Sequence, residues 1–229
     1  MARKDPFLRE ELLISLRLSI LPPDTIEEAM EAALQHLRAA DPVLAAIIDR
    51  VGPCLAKPRK PTFETLARSI TFQQLHGKAA TAIFERVRKA VGPRFTVRAF
   101  LNVSAEELRA CGLSKQKIAS ITDLAERTQK REIQFAKLAD LEDEEVILLL
   151  SRVRGVGVWT AQMFLLFALE RPNVLPLGDF GIRNAVRKAY ELPALPKPAE
   201  LATIAAGWHP HCSVACWYLW RSLEGQAAL

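Results

Sequence analysis

Two short stretches of this chain carry residue types that could do chemistry. Arg154-Gly155-Val156-Gly157 joins two apolar runs, one through Val146, Leu149, Leu150 and Val153, the other from Val158 to Leu169. The join is too short for anything but a tight turn. Glycine accepts positive φ and leaves no Cβ to hold a partner away, so consecutive N–H groups at the start of the second run can point at one anion. On spacing alone an ordinary helical corner fits equally well, whereas a dinucleotide-binding loop would need a preceding strand and a third glycine. The second stretch is Pro176-Leu177-Gly178-Asp179, which opens a helix expected over Phe180 to Tyr190. A carboxylate there sits where the helix dipole favours negative charge; it can stabilise a developing cation, orient a water, or simply cap the helix. Trp159 and Trp220 are aromatic faces of the kind that attract cations, with core packing as the alternative.

The elements that must position these residues read as helix nearly everywhere, because apolar side chains recur at steps of three and four and nothing alternates with period two. The fold class is therefore all-α. Asp24 or Thr25 can cap a helix to about Arg38, and Asp41-Pro42 opens another through Val43, Ile47 and Ile48 to Gly52-Pro53. Lys57-Pro58-Arg59-Lys60-Pro61 cannot continue a helix and marks a boundary. Phe63, Leu66, Ala67 and Ile70 form the next apolar face. Ala79, Ala80, Ile83, Phe84 and Val87 form another, and the polar joint Phe72-Gln73-Gln74-Leu75-His76-Gly77 lies between them. Ser104 with Glu107 makes a capping box, Ser114 opens a helix through Ile118, Ile121 and Leu124, and Glu142 to Glu145 supply an acidic first turn. No repeat recurs at a fixed period.

Half of the 229 residues are hydrophobic and a quarter are charged, enough apolar surface for a packed core and too little bias for disorder. The longest apolar run, Met163 to Leu169, is too short for a bilayer, and no secretory signal is read at the N-terminus, so no membrane and a reducing cytosol are expected. A net charge of +5 is compatible with a polyanionic partner. Four cysteines are too few for a disulfide scaffold, and His209, His211, Cys212 and Cys216 lack a structural-zinc spacing.

Leu149 to Ala161 (LLSRVRGVGVWTA), followed by Leu177-Gly178-Asp179-Phe180, resembles the hairpin and Gly/Pro-Asp signature of the helix-hairpin-helix DNA glycosylase superfamily. Within it the chain is similar to 3-methyladenine DNA glycosylase II, as three more stretches suggest: DPVLAAIIDRVGP (Asp41 to Pro53), ITFQQLHGKAA (Ile70 to Ala80) and WHPHCSVACWYLWR (Trp208 to Arg221). The resemblance covers about residues 41 to 224 and implies two helical subdomains with an active cleft between them. Residues 1–60 would pack with 179–229, and 61–178 would form the bundle that carries the hairpin.

Excision of alkylated, cationic purines such as 3-methyladenine from double-stranded DNA, after flipping the nucleotide out of the stack, is the activity so implied. Asp179 would be the catalytic carboxylate. Trp159, Trp220, Met163 and Phe72 would line the base pocket. Gln74 would fill the vacated stack, with Leu75 as the alternative plug, and His76 would contact the minor groove. Arg154, Gly155, Val156, Gly157 and Thr160 would hold a phosphate. Trp159 occupies the place where bifunctional relatives carry a Schiff-base lysine, so a monofunctional enzyme is expected. No cofactor is expected to be required and no iron–sulfur cluster is expected, but main-chain carbonyls of Ser151, Val153 and Val156 could hold Na+ or K+.

Two departures stand out: Arg154 replaces the usual hairpin proline, and Cys212 replaces a frequent basic residue. Trp217 is expected in the core, Trp208 as an anchor of the last helix. A monomer is expected, cytoplasmic, and nucleoid-associated or nuclear according to its source. The competing readings are a non-catalytic DNA-binding or damage-sensing module and a glycosylase for deaminated or mismatched bases. Asp179 favours an enzyme, because a carboxylate beside a polyanion costs a pure binder affinity.

Overall fold

Most helices begin where the sequence places a group able to satisfy the first free amides. The computed structural model describes residues 26–54, 59–75 and 77–224. These form twelve α-helices and no strand: α1 (Ile26–Ala40), α2 (Pro42–Val51), α3 (Phe63–Phe72), α4 (Gly77–Val91), α5 (Val97–Leu101), α6 (Ala105–Ala110), α7 (Lys115–Gln129), α8 (Asp143–Leu150), α9 (Val158–Phe167), α10 (Phe180–Ala189), α11 (Pro198–Ile204) and α12 (Cys212–Ser222). Thr62, Thr96, Ser104, Ser114 and Asp179 each accept a backbone N–H at the start of α3, α5, α6, α7 and α10. The Ser104–Glu107 capping box is complete, while the expected caps Asp24 and Thr25 lie outside the described residues. No helix among the described residues is long and apolar enough to cross a membrane.

The chain divides into two compact units. The first is Arg59–Leu169, α3 to α9. Its centre is α7, packed against α3, α5 and α6, while α3 also meets α4 and α9, and α8 lies on α9. Leu66, Ala67, Ile121, Leu124 and Ala125 are fully buried; each of the larger ones contributes on the order of 1.5–3 kcal/mol by leaving water.

The second unit holds α1, α2 and α10 to α12, with α12 against α2 and α10. Every residue from Cys212 to Trp220 is buried, the all-round burial that marks a central helix. Chain enters this unit at Glu170 rather than at Asp179, as the sequence suggested. Ser213 of α12 explains the difference: its hydroxyl donates to Arg171 O at 2.6 Å and accepts Val174 N–H at 3.0 Å, and its amide donates to Pro172 O at 3.0 Å.

Asp41 organises the same unit. Its Oδ1 accepts the amides of Val43 and Leu44 at 3.0 Å, and its Oδ2 accepts Trp208 Nε1–H at 2.7 Å and the Tyr190 hydroxyl. Trp208 therefore anchors the start of α2, and because its carbonyl accepts His211 N–H at 2.7 Å just before α12 it also ties down the last helix, as expected. Trp217 is buried as expected, edge-on to Tyr218.

Burial pushes the Cys212 thiol up to about 12. It also raises Cys216 and Tyr218, and Tyr190 with help from the adjacent Asp41 carboxylate. These groups keep their protons in the folded chain at a pH where the unfolded chain has lost them. Their stabilisation is complete below about pH 8, starts to fall where free thiols and phenols ionise, and is lost as pH rises through the raised folded values, about 12 for Cys212. The urea midpoint should fall between roughly pH 8 and pH 10.5; a constant midpoint would contradict the burial of these groups.

Candidate active site

In the first unit, α8 ends at Leu150 and the chain turns tightly into α9. Val153 N–H donates to Leu150 O and Val156 N–H to Val153 O, both at 3.0 Å. Gly155 has φ +74, and a Cβ there would stand 2.6 Å from Ser120 Oγ, so conformation and space both require glycine. Gly157 differs. Its φ of −98° and ψ of 176° suit any residue, and nothing lies within 4 Å of where its Cβ would be. Positive φ thus explains Gly155 alone; Gly157 contributes an open approach to the first turn of α9.

Asp123 steadies this turn, accepting Arg154 N–H at 2.7 Å while Arg127 Nε–H donates to both of its oxygens at 3.1 Å. The guanidinium offsets a negative charge that would otherwise face any bound anion. Arg152 and Arg154 are exposed, and with Arg109, Lys115 and Arg127 they line a groove of about 700 Å³ that also carries Glu106, Asp123 and Glu126.

The polar joint between α3 and α4 lies against the turn. Gln73 donates its side-chain N–H groups to Gly155 O at 3.0 Å and Thr160 Oγ1 at 3.1 Å. Gln74 is exposed with φ +59, whereas Leu75 is half-buried against the cluster of Phe72, Ala80 and Phe84. Between the two plug candidates, Gln74 is therefore the one presented outward. His76 lies outside the described residues.

Of the proposed pocket residues in this unit, Trp159 is half-buried at the start of α9. Met163 is 3% exposed and lies in the core. Phe72 is a core residue as well, with the Arg68 guanidinium 3.8 Å from its ring centroid, so its face is already covered. The Thr160 side chain is buried and accepts Gln73, which leaves only its backbone amide, in the first turn of α9, to meet a phosphate.

In the second unit, Asp179 is 3% exposed at the start of α10, and its Oδ1 accepts Ile182 N–H at 2.7 Å and Trp220 Nε1–H at 3.0 Å. Trp220 is 4% exposed, and that bond fixes the edge of its indole ring. Gly181 completes the arrangement. A Cβ there would come within 3.0–3.1 Å of the Trp220 ring and Asp179 Oδ1, so only glycine leaves the pair undisturbed. Gly181, Gln73, Lys117 and Asp123 carry no motif that marks them in the sequence. Gly181 alone left a trace, as the glycine that follows Asp179-Phe180; the others look like surface polar residues until the fold brings their partners to them.

A helical chain with a glycine turn between two helices and a buried aspartate opening a later helix defines a helix-hairpin-helix protein with a candidate acid site. Residues 67–210 match the HhH-GPD superfamily of base excision DNA repair proteins, and the chain belongs to that family. It is 33% identical to DNA-3-methyladenine glycosylase 1 of Schizosaccharomyces pombe over 90% of this chain and 93% of that protein. Among solved structures, the S. pombe 3-methyladenine DNA glycosylase in complex with abasic DNA superposes with a TM-score of 0.74 at 34% identity, covering 83% of this chain and 95% of that one. The DNA-3-methyladenine glycosidase of Bacillus halodurans gives 0.72 at 33% identity, covering 85% and 90%.

The two glycines of the turn should separate under substitution. Gly155→Ala is expected to lower stability by roughly 1–3 kcal/mol, from positive φ and the Ser120 contact. Gly157→Ala should leave stability within about 0.5 kcal/mol. Urea unfolding of both variants checks this; equal losses would mean that the turn is not built as described.

Proposed function

We propose that this DNA glycosylase of base excision repair removes alkylated, positively charged purines such as 3-methyladenine from double-stranded DNA by hydrolysing the N-glycosidic bond, with no lyase step. The observation that carries the reading is Asp179, a buried carboxylate held through Oδ1 by Ile182 N–H and Trp220 N–H at the motif position.

A cationic base leaves with the electron pair of the broken C1′–N bond and becomes neutral, so it needs little protonation to depart. What the reaction requires is stabilisation of the oxocarbenium-like sugar and delivery of water to C1′, and one fixed negative charge serves both. Trp159 supplies an aromatic face to the cationic base, worth roughly 0.5–2 kcal/mol. The absence of a lysine at position 159 supports a monofunctional enzyme.

The open face at Gly157 and the exposed Arg152 and Arg154 suit a DNA phosphate, and affinity for undamaged duplex should fall steeply with salt. The residues at the turn also fit a monovalent cation. Main-chain carbonyls of Ser151, Val153 and Val156 would hold it, and Ser151 Oγ, buried with no hydrogen-bond partner, adds an oxygen donor nearby. Such an ion would add positive charge where a phosphate docks.

Asp179→Asn keeps an Oδ1 acceptor for both donors while removing the charge, so folding and DNA binding should survive. Release of 3-methyladenine from methylated DNA should drop on the order of a hundredfold or more. Near-parental release would move the catalytic role elsewhere, and unfolding would reduce Asp179 to a cap. Trp159→Ala should narrow the preference for cationic over neutral bases by about 1 kcal/mol, near fivefold; selectivity left intact with a lowered Tm would make Trp159 a core residue.

A further inference from the structure

We infer that Gln73 is a positioning residue that makes the duplex-entering joint and the phosphate-gripping turn one mechanical part, an inference that rests on the roles proposed above for Gln74 and the hairpin. One side chain ties the two. Gln73 Nε2 donates to Gly155 O at 3.0 Å and to Thr160 Oγ1 at 3.1 Å. These acceptors bracket the turn, since Gly155 is its positive-φ residue and Thr160 lies in the first turn of α9.

The backbone of Gln73 is fixed from another side. Lys117 Nζ, on α7, donates to Gln73 O at 2.8 Å and to Thr71 O at 2.6 Å. Both carbonyls belong to the C-terminal end of α3, where a cation complements the helix dipole. Desolvation lowers the Lys117 pKa, as expected of an ammonium drawn off the surface to these acceptors. The next residue, Gln74, takes φ +59, a conformation that L side chains rarely adopt. It is maintained because the residue before it is anchored through both its amide and its carbonyl.

A side chain that fills a vacated base stack is pressed by the bases on either side. It can resist only if the backbone behind it does not recoil relative to the phosphate grip, because small displacements of positioning groups carry large penalties. The Gln73 amide sets that separation. Methionine would match its length without donors, and glutamate would turn acceptors toward the two oxygens.

The test compares affinity of the full chain for an undamaged duplex, which reports the grip, with affinity for a duplex carrying a tetrahydrofuran abasic analogue, which also reports filling of the gap. Gln73→Met is expected to hold undamaged-duplex affinity within about twofold but to lose roughly tenfold or more of the preference for the abasic duplex, whereas Gln73→Glu, which adds a negative charge beside the phosphate grip, should weaken both duplexes and the abasic one more. Lys117→Met should shift the preference in the same direction, and Lys117→Arg should restore most of it. Gln74→Ala and Leu75→Ala test the plug reading separately. If one of them abolishes the preference while Gln73→Met leaves it intact, the positioning role is overturned. If Gln73→Met weakens both duplexes equally with a lowered Tm, Gln73 is packing only and the inference is equally overturned. If neither plug variant changes the preference, the plug reading fails and takes this inference with it.

Discussion

A carboxylate buried at a helix N-terminus has to have its charge met by fixed donors, and the second unit solves this problem twice with the same parts. Asp41 opens α2 and Asp179 opens α10; each gives one oxygen to backbone amides of its helix and each accepts an indole N–H, from Trp208 and from Trp220. A hydrogen bond to a buried charge is typically worth about 1.5–3 kcal/mol, so each tryptophan is held in place by the carboxylate it satisfies. The two sites differ in how the bonds are shared. At Asp41 the amides take Oδ1 and the Tyr190 and Trp208 donors take Oδ2, which knits α2 to the end of α10. At Asp179 the amide and the indole converge on Oδ1. The first pattern suits a structural node. The second joins the start of α10 to α12 through a single shared oxygen.

The first unit is organised around a different feature, a turn fixed from behind while the start of α9 stays open. Gly155 cannot carry a Cβ because Ser120 fills the space, and Arg154 N–H is committed to Asp123. These interactions come from α7, the helix at the centre of the unit, so the turn inherits the rigidity of the core. Gly157 is left with open space in front of it. The division of labour between the glycines explains why a Gly-x-Gly turn is a poor signal by itself: the pattern reports neither which glycine is strained nor which faces a ligand.

The helical class and most helix starts were legible because they depend on local chemistry, as the complete Ser104–Glu107 box and the Asp41 and Asp179 caps illustrate. Helices of a single turn or two left no period to read, and α5 and α11 went unnoticed for that reason. Asp179, Gly155 and Gln74 could be singled out because motif spacing marks them. Gln73, Asp123 and Lys117 could not, since their partners lie dozens of residues away along the chain. Burial was the hardest property to foresee. Phe72 and Met163 carry the residue types of a pocket, yet the packing of α3 and α9 turns them inward.

Placing a fixed negative charge in a protein that grips a polyanion looks self-defeating unless that charge is kept off the gripping surface. Asp123, the acid nearest the turn, is matched by Arg127, and the groove beside it carries more arginine and lysine than aspartate and glutamate. Asp179 is kept from solvent by its own surroundings, 3% exposed at the start of α10 with its Oδ1 bonded to Trp220. Its field is little screened there, which strengthens its action on a positive charge brought close to it. A cationic base on a sugar moving toward oxocarbenium character is such a charge, and a neutral base at rest in the stack is not. In the role proposed for Asp179, the same burial that makes the carboxylate costly to fold would make it selective in what it stabilises.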